Sequence, residues 1–481
     1  MLLEHVKSAK PVKLGLLPAH RDVFDMDAGV REKQKVMSKL RELGVEFADI
    51  EWLNDSGLLY DPSDARAVAE HFEKEDVDAL FAAHCTFGDE RSIGRVCKAL
   101  DKPILLWGSR DDAPDSSGMR ERDTQCGLFA TSKLLRRLNL PYTYIANSSV
   151  EDQVFQRGLD NFLRATNVVR SMPNARIGQV DTRPGPFTTV MVNESELMER
   201  FGVETVPVAL STIIDRVKKM ENSDEVTEAV QDIQSRVNTD EIEEPMLRRL
   251  ASLKITLARW AEEEKLDGIA LQCWDAMQLT LDICPCFVHG EVMEMGVPVA
   301  CETDIHGALS AIALQAAARC ETAVFFADLT IRHPENDNSE LLWHCGPFPA
   351  SLAANPDERK LTGHYIIPGG PPAVGNWRIK GGNITLGRFD GDHGEYKMLM
   401  GHVRGCDGPF TRGNYVWVEV DDWPKWEETF VYGPYVHHVA GVHGKLAPAL
   451  YEACKYMDVE VEAVEPTEEQ IRSYLRGGDE L

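Results

Sequence analysis

The sequence predicts an α/β protein: two doubly wound, Rossmann-like α/β domains followed by a β-rich C-terminal domain. Three observations predict it. Short apolar runs alternate with amphipathic stretches from the N-terminus to residue 327, the pattern of parallel strands covered by helices on both faces. From residue 328 the pattern changes to short runs punctuated by Gly and Pro, which reads as β structure. The length, 481 residues, leaves room for about three domains at roughly 150 residues each. The expected divisions are 1–145, 146–327 and 328–481.

The first strand is Val12–Pro18, and the amphipathic stretch Gly29–Leu43 is closed by Gly44, a good helix stop. Then come strand Val45–Ile50, helix Asp61–Glu75, strand Ala79–Ala83, helix Asp89–Leu100 and strand Pro103–Trp107. Their carboxyl ends carry His20-Arg21, His84-Cys85-Thr86 and Ser109-Arg110-Asp111, where parallel sheets place their ligands. No Gly-rich phosphate loop follows any of them, which argues against a nucleotide. The second domain opens with helix Val150–Ser171 and strand Ala175–Val180, then helix Glu194–Phe201 and strand Val203–Val208. A charged helical region, Ser211–Glu264, leads to strand Gly268–Gln272, helix Gly307–Ala318 and strand Thr322–Ala327. The third domain includes the strand-like runs Tyr365–Pro368, Gly382–Gly387 and Tyr415–Val420, and ends with helix Ala447–Met457 and strand Val459–Ala463.

Charge narrows the partners. The balance is 51 Lys and Arg against 78 Asp and Glu, a net −27 with no dense basic block. That excludes nucleic acid and an anionic membrane surface. The N-terminus has no charged start followed by an apolar core, and no run reaches the ~18 apolar residues of a membrane span. A cytoplasmic protein is expected. Eleven cysteines, an odd and scattered set, read as reduced core thiols. The one dense group, Cys273, Cys284, Cys286 and Cys301, has a C-x-C without a second close pair, so it lacks the usual spacing of a structural zinc site.

Two segments offer chemistry. In Cys301-Glu302-Thr303-Asp304-Ile305-His306-Gly307, two carboxylates follow a strand. Residues two apart on an extended stretch point the same way, so Glu302 and Asp304 would converge on one divalent cation. The alternative is that Asp304 caps the following helix. In Pro434-Tyr435-Val436-His437-His438-Val439-Ala440 the adjacent histidines face opposite sides of a strand, so at most one is expected to be a ligand, the alternative being a satisfied core histidine. His344 offers a pocket-lining donor or acceptor, whereas His333, His364, His393 and His402 are assigned to surface loops.

These segments resemble the L-fucose isomerase family and, more distantly, the L-arabinose isomerases. The resemblance rests on Ala270-Leu271-Gln272-Cys273-Trp274, on Gly296 to Leu309 with its Cys-Glu-x-Asp element, and on the His437-His438 segment. It implies an Mn²⁺-type enzyme, or one using another divalent metal, that interconverts an open-chain aldose and ketose through an enediolate. Within it, Asp304 matches a metal-binding aspartate, His438 a metal-binding histidine, and Glu302 the neighbouring acid. Trp274, His344 and His437 would shape the monosaccharide pocket. Arg21 would reach the substrate of a neighbouring subunit in a homo-trimer or hexamer, the alternative being a structural ion pair. One departure stands out: the family places a glutamate two residues beyond the Cys-Trp pair, and here that position is Ala276. Asp275, Asp282 or Glu302 would then handle the proton. The same departure leaves room for an epimerase, lyase or transferase on this scaffold, or a non-catalytic sugar-binding protein.

Overall fold

The computed structural model describes residues 2–364 and 370–481; the expected strand Tyr365–Pro368 lies outside the described residues. The chain forms two compact units. One comprises residues 10–167, 451–458 and 468–481, the other residues 2–9, 168–450 and 459–467.

The first unit is built on a five-stranded parallel sheet in the order Glu46–Ala48, Lys13–Ala19, Ala79–His84, Ile104–Gly108, Thr143–Tyr144. Alternation along these strands fills two cores. Leu17, Leu80, Ala82 and Leu106 pack with Val68, Phe72, Ile93 and Leu128 on one face, and Leu14, Leu16, Phe81 and Trp107 pack with Val36, Leu40, Phe155 and Phe162 on the other. Period-two strands between two helical layers make the sheet doubly wound, as its near-continuous apolar runs predict.

The larger unit carries two further sheets. Four parallel strands run in the order Glu204–Val208, Arg176–Val180, Gly268–Leu271, Val299–Cys301. The charged region 211–264 resolves into helices Leu210–Met220, Asp224–Arg236 and Glu244–Glu264, the second capped by Ser223. A nine-stranded sheet follows in which six antiparallel strands close on themselves: Asn414–Glu419, Ser339–His344, Phe325–Arg332, His438–His443, Gly382–Asp392 and Glu395–Cys406, the last pairing back to the first. Closure into a barrel removes the open edges.

Between this barrel and the four-stranded sheet runs Ile305–Ala317, in contact with strands of both. All thirteen of its residues are buried, as befits a helix that is apolar on every side. Its N-terminus and the adjoining strand ends position the site.

Candidate active site

Three elements meet at the start of that helix. Val299–Cys301 ends there, and Glu302 and Thr303 both turn left-handed, each with φ of 61°. This is a costly conformation for residues with a Cβ, and such residues concentrate where a site imposes them. The turn breaks the extended geometry that would have aimed Glu302 and Asp304 alike. They instead reach opposite nitrogens of one imidazole. Asp304 Oδ2 lies 2.8 Å from His438 Nδ1, and Glu302 Oε2 lies 3.0 Å from His438 Nε2.

Asp304 is fully committed. Its Oδ1 accepts from the backbone N–H of Gly307 at 2.8 Å, capping the helix, and from Arg388 Nη2 at 3.1 Å. Its Oδ2 accepts from Arg388 Nη1 as well as facing His438. Arg388 also donates to Asp390 at 2.6 and 2.8 Å, and Asp390 in turn faces His306 Nδ1 at 2.8 Å. Gly307 is required here, because a Cβ would stand 2.6 Å from Asp304 Oδ2. Burial pushes the Asp304 carboxyl up, but Arg388 and His438 outweigh it and hold it well below the usual carboxylate range.

Glu302 is not committed in this way. The sequence reading missed its real neighbour, Asp328, placed by strand Phe325–Arg332. Antiparallel register sets Asp328 directly opposite His438 on one side and Trp343 on the other. Its Oδ1 lies 3.5 Å from His438 Nε2 and 3.9 Å from both His344 Nε2 and His437 Nε2. Glu302 Oε2, Asp328 Oδ1, His438 Nε2 and His344 Nε2 are all buried without a hydrogen bond among the described residues. Burial raises Asp328 to about 7, with Glu302 adding to the rise and His438 opposing it. For His438 burial acts downward, yet the Asp304 and Glu302 carboxylates beside its two nitrogens lift it to about 10. Burial lowers His344 to about 3 and His437 to about 4.

A cavity of about 200 Å³ opens on this cluster. Glu302, Asp328, His344 and His437 supply its polar wall, and Phe187, Trp274 and Trp343 its aromatic one. Phe187 and Trp274 meet edge to face, 5.6 Å between ring centroids. His364, assigned above to a surface loop, also lines this cavity, and His402 lies in strand Glu395–Cys406, where its Nε2 accepts from Ala447 N–H.

The remaining candidates go elsewhere. Asp304 stands behind His438, since both its oxygens are saturated by Arg388, Gly307 and His438 Nδ1. Asp275 is exposed and absent from the cavity lining among the described residues. Arg21 pairs with Glu90, donates to the Gly88 carbonyl and lies over the Phe87 ring at 4.1 Å, all within the smaller unit.

Asp328, His437 and His438 bring ligand atoms within 4.8 Å of one another, and Glu302 Oε2 lies 3.0 Å from His438 Nε2, a hard oxygen and nitrogen donor set that fits a divalent cation such as Mn²⁺. The carboxylate behind the imidazole is the usual outer support of a metal-binding histidine, fixing its tautomer and orientation. Among the described residues, no helix is long and apolar enough to cross a membrane.

Residues 15–173 match the family model described as fucose/sulfoquinovose isomerase, N-terminal domain. A sulfoquinovose isomerase from Priestia aryabhattai is 22% identical over 458 residues, spanning 92% of this chain and 97% of its own length. Another, from Alkalicoccus urumqiensis, is 26% identical over 409 residues, spanning 84% of this chain and 88% of its own.

Proposed function

We propose, on the premise that this chain belongs to the fucose isomerase-like family and is an aldose–ketose sugar isomerase, that it works with a divalent cation held by Glu302, Asp328 and His438. Sulfoquinovose, the sugar in its relatives' names, is the first substrate to test. The observation that carries this reading is that buried polar atoms of Glu302, Asp328, His438 and His344 gather beside an aromatic-walled cavity without completing a hydrogen bond among the described residues.

A cation such as Mn²⁺ supplies positive charge that polarises the sugar carbonyl and acidifies the neighbouring C–H. The chain supplies the rest. Glu302 and Asp328 are the cavity carboxylates able to take the proton from C2. The C–H electron pair then forms the C1–C2 double bond of the enediol, and O1 gains a proton. Return of a proton to C1, with loss of the O2 proton, gives the ketose. Two carboxylates therefore suffice, and Ala276 removes neither. Asp304 fixes the His438 ring from behind, and Trp274, Trp343 and Phe187 exclude water from the reacting carbons. A cytoplasmic trimer or hexamer belongs to the same proposal. The eleven free cysteines support the location, and the family resemblance supports the assembly.

Proton NMR in D₂O, with Mg²⁺ replacing Mn²⁺ where paramagnetism broadens the lines, tests it on sulfoquinovose, L-fucose and L-arabinose. Ketose should appear with deuterium at C1. Deuterium exchange without ketose, or neither with any sugar at any metal loading, would overturn the proposal.

A further inference from the structure

Beside the oxygen donors lies a second concentration of donor atoms, all sulfur. Cys273 follows strand Gly268–Leu271, Cys301 ends Val299–Cys301, and Cys345 follows Ser339–His344. Cys284 and Cys286 flank Pro285 at the start of helix Cys286–Met293. Their sulfurs fall into two triads: Cys273, Cys286 and Cys301 lie within 4.8 Å of one another, and so do Cys284, Cys286 and Cys345. Cys286 belongs to both, 2.9 Å from the Cys345 sulfur. One turn along the same helix, His289 brings Nδ1 to 3.1 Å from the Cys301 sulfur.

The backbone is shaped for this convergence. A Cβ on Gly346 would stand 2.3 Å from the Cys286 carbonyl carbon, so only glycine lets the turn carrying Cys345 lie against that helix. Cys273, Cys284, Cys286 and Cys301 are each at most 3% exposed, and none of the five is in a disulfide. Core thiols filling space have no reason to gather from four separate elements around one shared sulfur.

We propose that these five cysteines form a second metal site, for thiophilic d¹⁰ cations such as Zn²⁺, with two positions that share the Cys286 sulfur. Zn–S bonds of about 2.3 Å place a cation among three sulfurs roughly 4 Å apart, within the spread of each triad. His289 Nδ1, 3.1 Å from the Cys301 sulfur, stands beside the position made by Cys273, Cys286 and Cys301. Two divalent ions reduce the charge of five thiolates from −5 to −1, and near-neutrality favours their burial. Softness sorts the cations: thiolates select Zn²⁺, whereas the adjacent carboxylates and imidazole suit Mn²⁺. Cys273, Cys286 and Cys345 also line the isomerase cavity, so ions on these sulfurs brace its wall.

The test is a Cd²⁺ titration of the reduced, chelator-treated full-length protein, read by thiolate-to-cadmium charge-transfer absorbance and by Tm. The absorbance should saturate at two Cd²⁺ per chain, with Tm rising. Cys286→Ser should lose both ions, whereas Cys273→Ser and Cys284→Ser should each lose one. Asp328→Asn should keep both, which separates this site from the isomerase site. An end point below two, or a wild-type band surviving in Cys286→Ser, would overturn the proposal. Should Cys286→Ser not fold, the other two variants decide, and two ions retained in either is fatal to it.

Discussion

Two carboxylates two residues apart, Glu302 and Asp304, sit in opposite kinds of surroundings. Around Asp304 every oxygen is answered: Arg388, Gly307 and His438 take both of its oxygens, and Arg388, His306 and the Gly391 N–H do the same for Asp390. Around Glu302 and Asp328, buried oxygens lie close to His438 Nε2 yet complete no hydrogen bond among the described residues. Both clusters are buried, and each holds a strongly shifted carboxyl, Asp304 downward and Asp328 upward, so burial and the presence of a shifted group do not separate them. Satisfaction does. A closed network fixes structure, whereas an open one spends folding energy to hold donors ready for something else.

The comparison breaks if the open cluster proves structural. Asp328→Asn should lower kcat by about 10³-fold or more, with Glu302→Gln close behind, since in the proposed mechanism each removes a proton carrier and a cation ligand. Tm should scarcely move, because neither side chain completes a hydrogen bond through its cavity-facing oxygen. Turnover near wild type in both variants would end the assignment.

The closed cluster should show the reverse. Arg388→Met strands two buried carboxylates and should cost about 3–5 kcal/mol of stability in denaturant unfolding. Catalysis per folded molecule should fall far less. Asp304→Asn lies between the two, because it belongs to the network yet holds the His438 ring. As a positioning residue it should weaken Mn²⁺ affinity by about 10- to 100-fold, read by direct metal titration, and added Mn²⁺ should restore much of kcat.

Glu340 sharpens the distinction, being a buried carboxylate whose Oε2 makes no hydrogen bond among the described residues and which does not line the candidate cavity. Burial lifts it to about 7, with Arg332 opposing and Glu427 adding. Folded protein then binds the proton that the unfolded chain has already released, so this group costs stability as pH rises from the ordinary carboxylate range to about 7. Glu340→Gln should therefore stabilise at pH 8 by under about 1 kcal/mol and do little at pH 4. An equal Tm change at both values would show that its proton plays no part.

Much of this was legible in the sequence. Apolar runs and their stops located both parallel sheets, and the segments holding Glu302 and His438, singled out for chemistry, come together in the structure. Asp328 escaped because the apolar run ends at Ala327, which set both the expected strand end and the domain boundary just before it. The strand continues to Arg332, held by its barrel neighbours, and its first polar residue faces the cavity. Polar residues in a strand blur the pattern by which strands are read. Asp304 misled for a related reason. Alternation along an extended chain aims residues two apart alike, and the left-handed turn at Glu302 and Thr303 has no signature in residues that normally avoid it. The five-cysteine convergence was invisible because Cys345 lies 59 residues from Cys286, a spacing that no linear pattern encodes.

The smallest effect tests the position that differs from the family. If Ala276 stood where a catalytic glutamate had been lost, its neighbour Asp275 would be the natural replacement, and Asp275→Asn would abolish turnover. Asp275 instead precedes the short helix Ala276–Leu281, exposed and making no side-chain cap, and the proposed mechanism takes its two carboxylates from Glu302 and Asp328. Asp275→Asn should therefore change kcat by less than about twofold, since a proton carrier must lie within reach of the proton it moves. A loss of tenfold or more with KM unchanged would return the proton to the Trp274–Asp275 turn, and with it the view that the open cluster binds a cation without doing the chemistry.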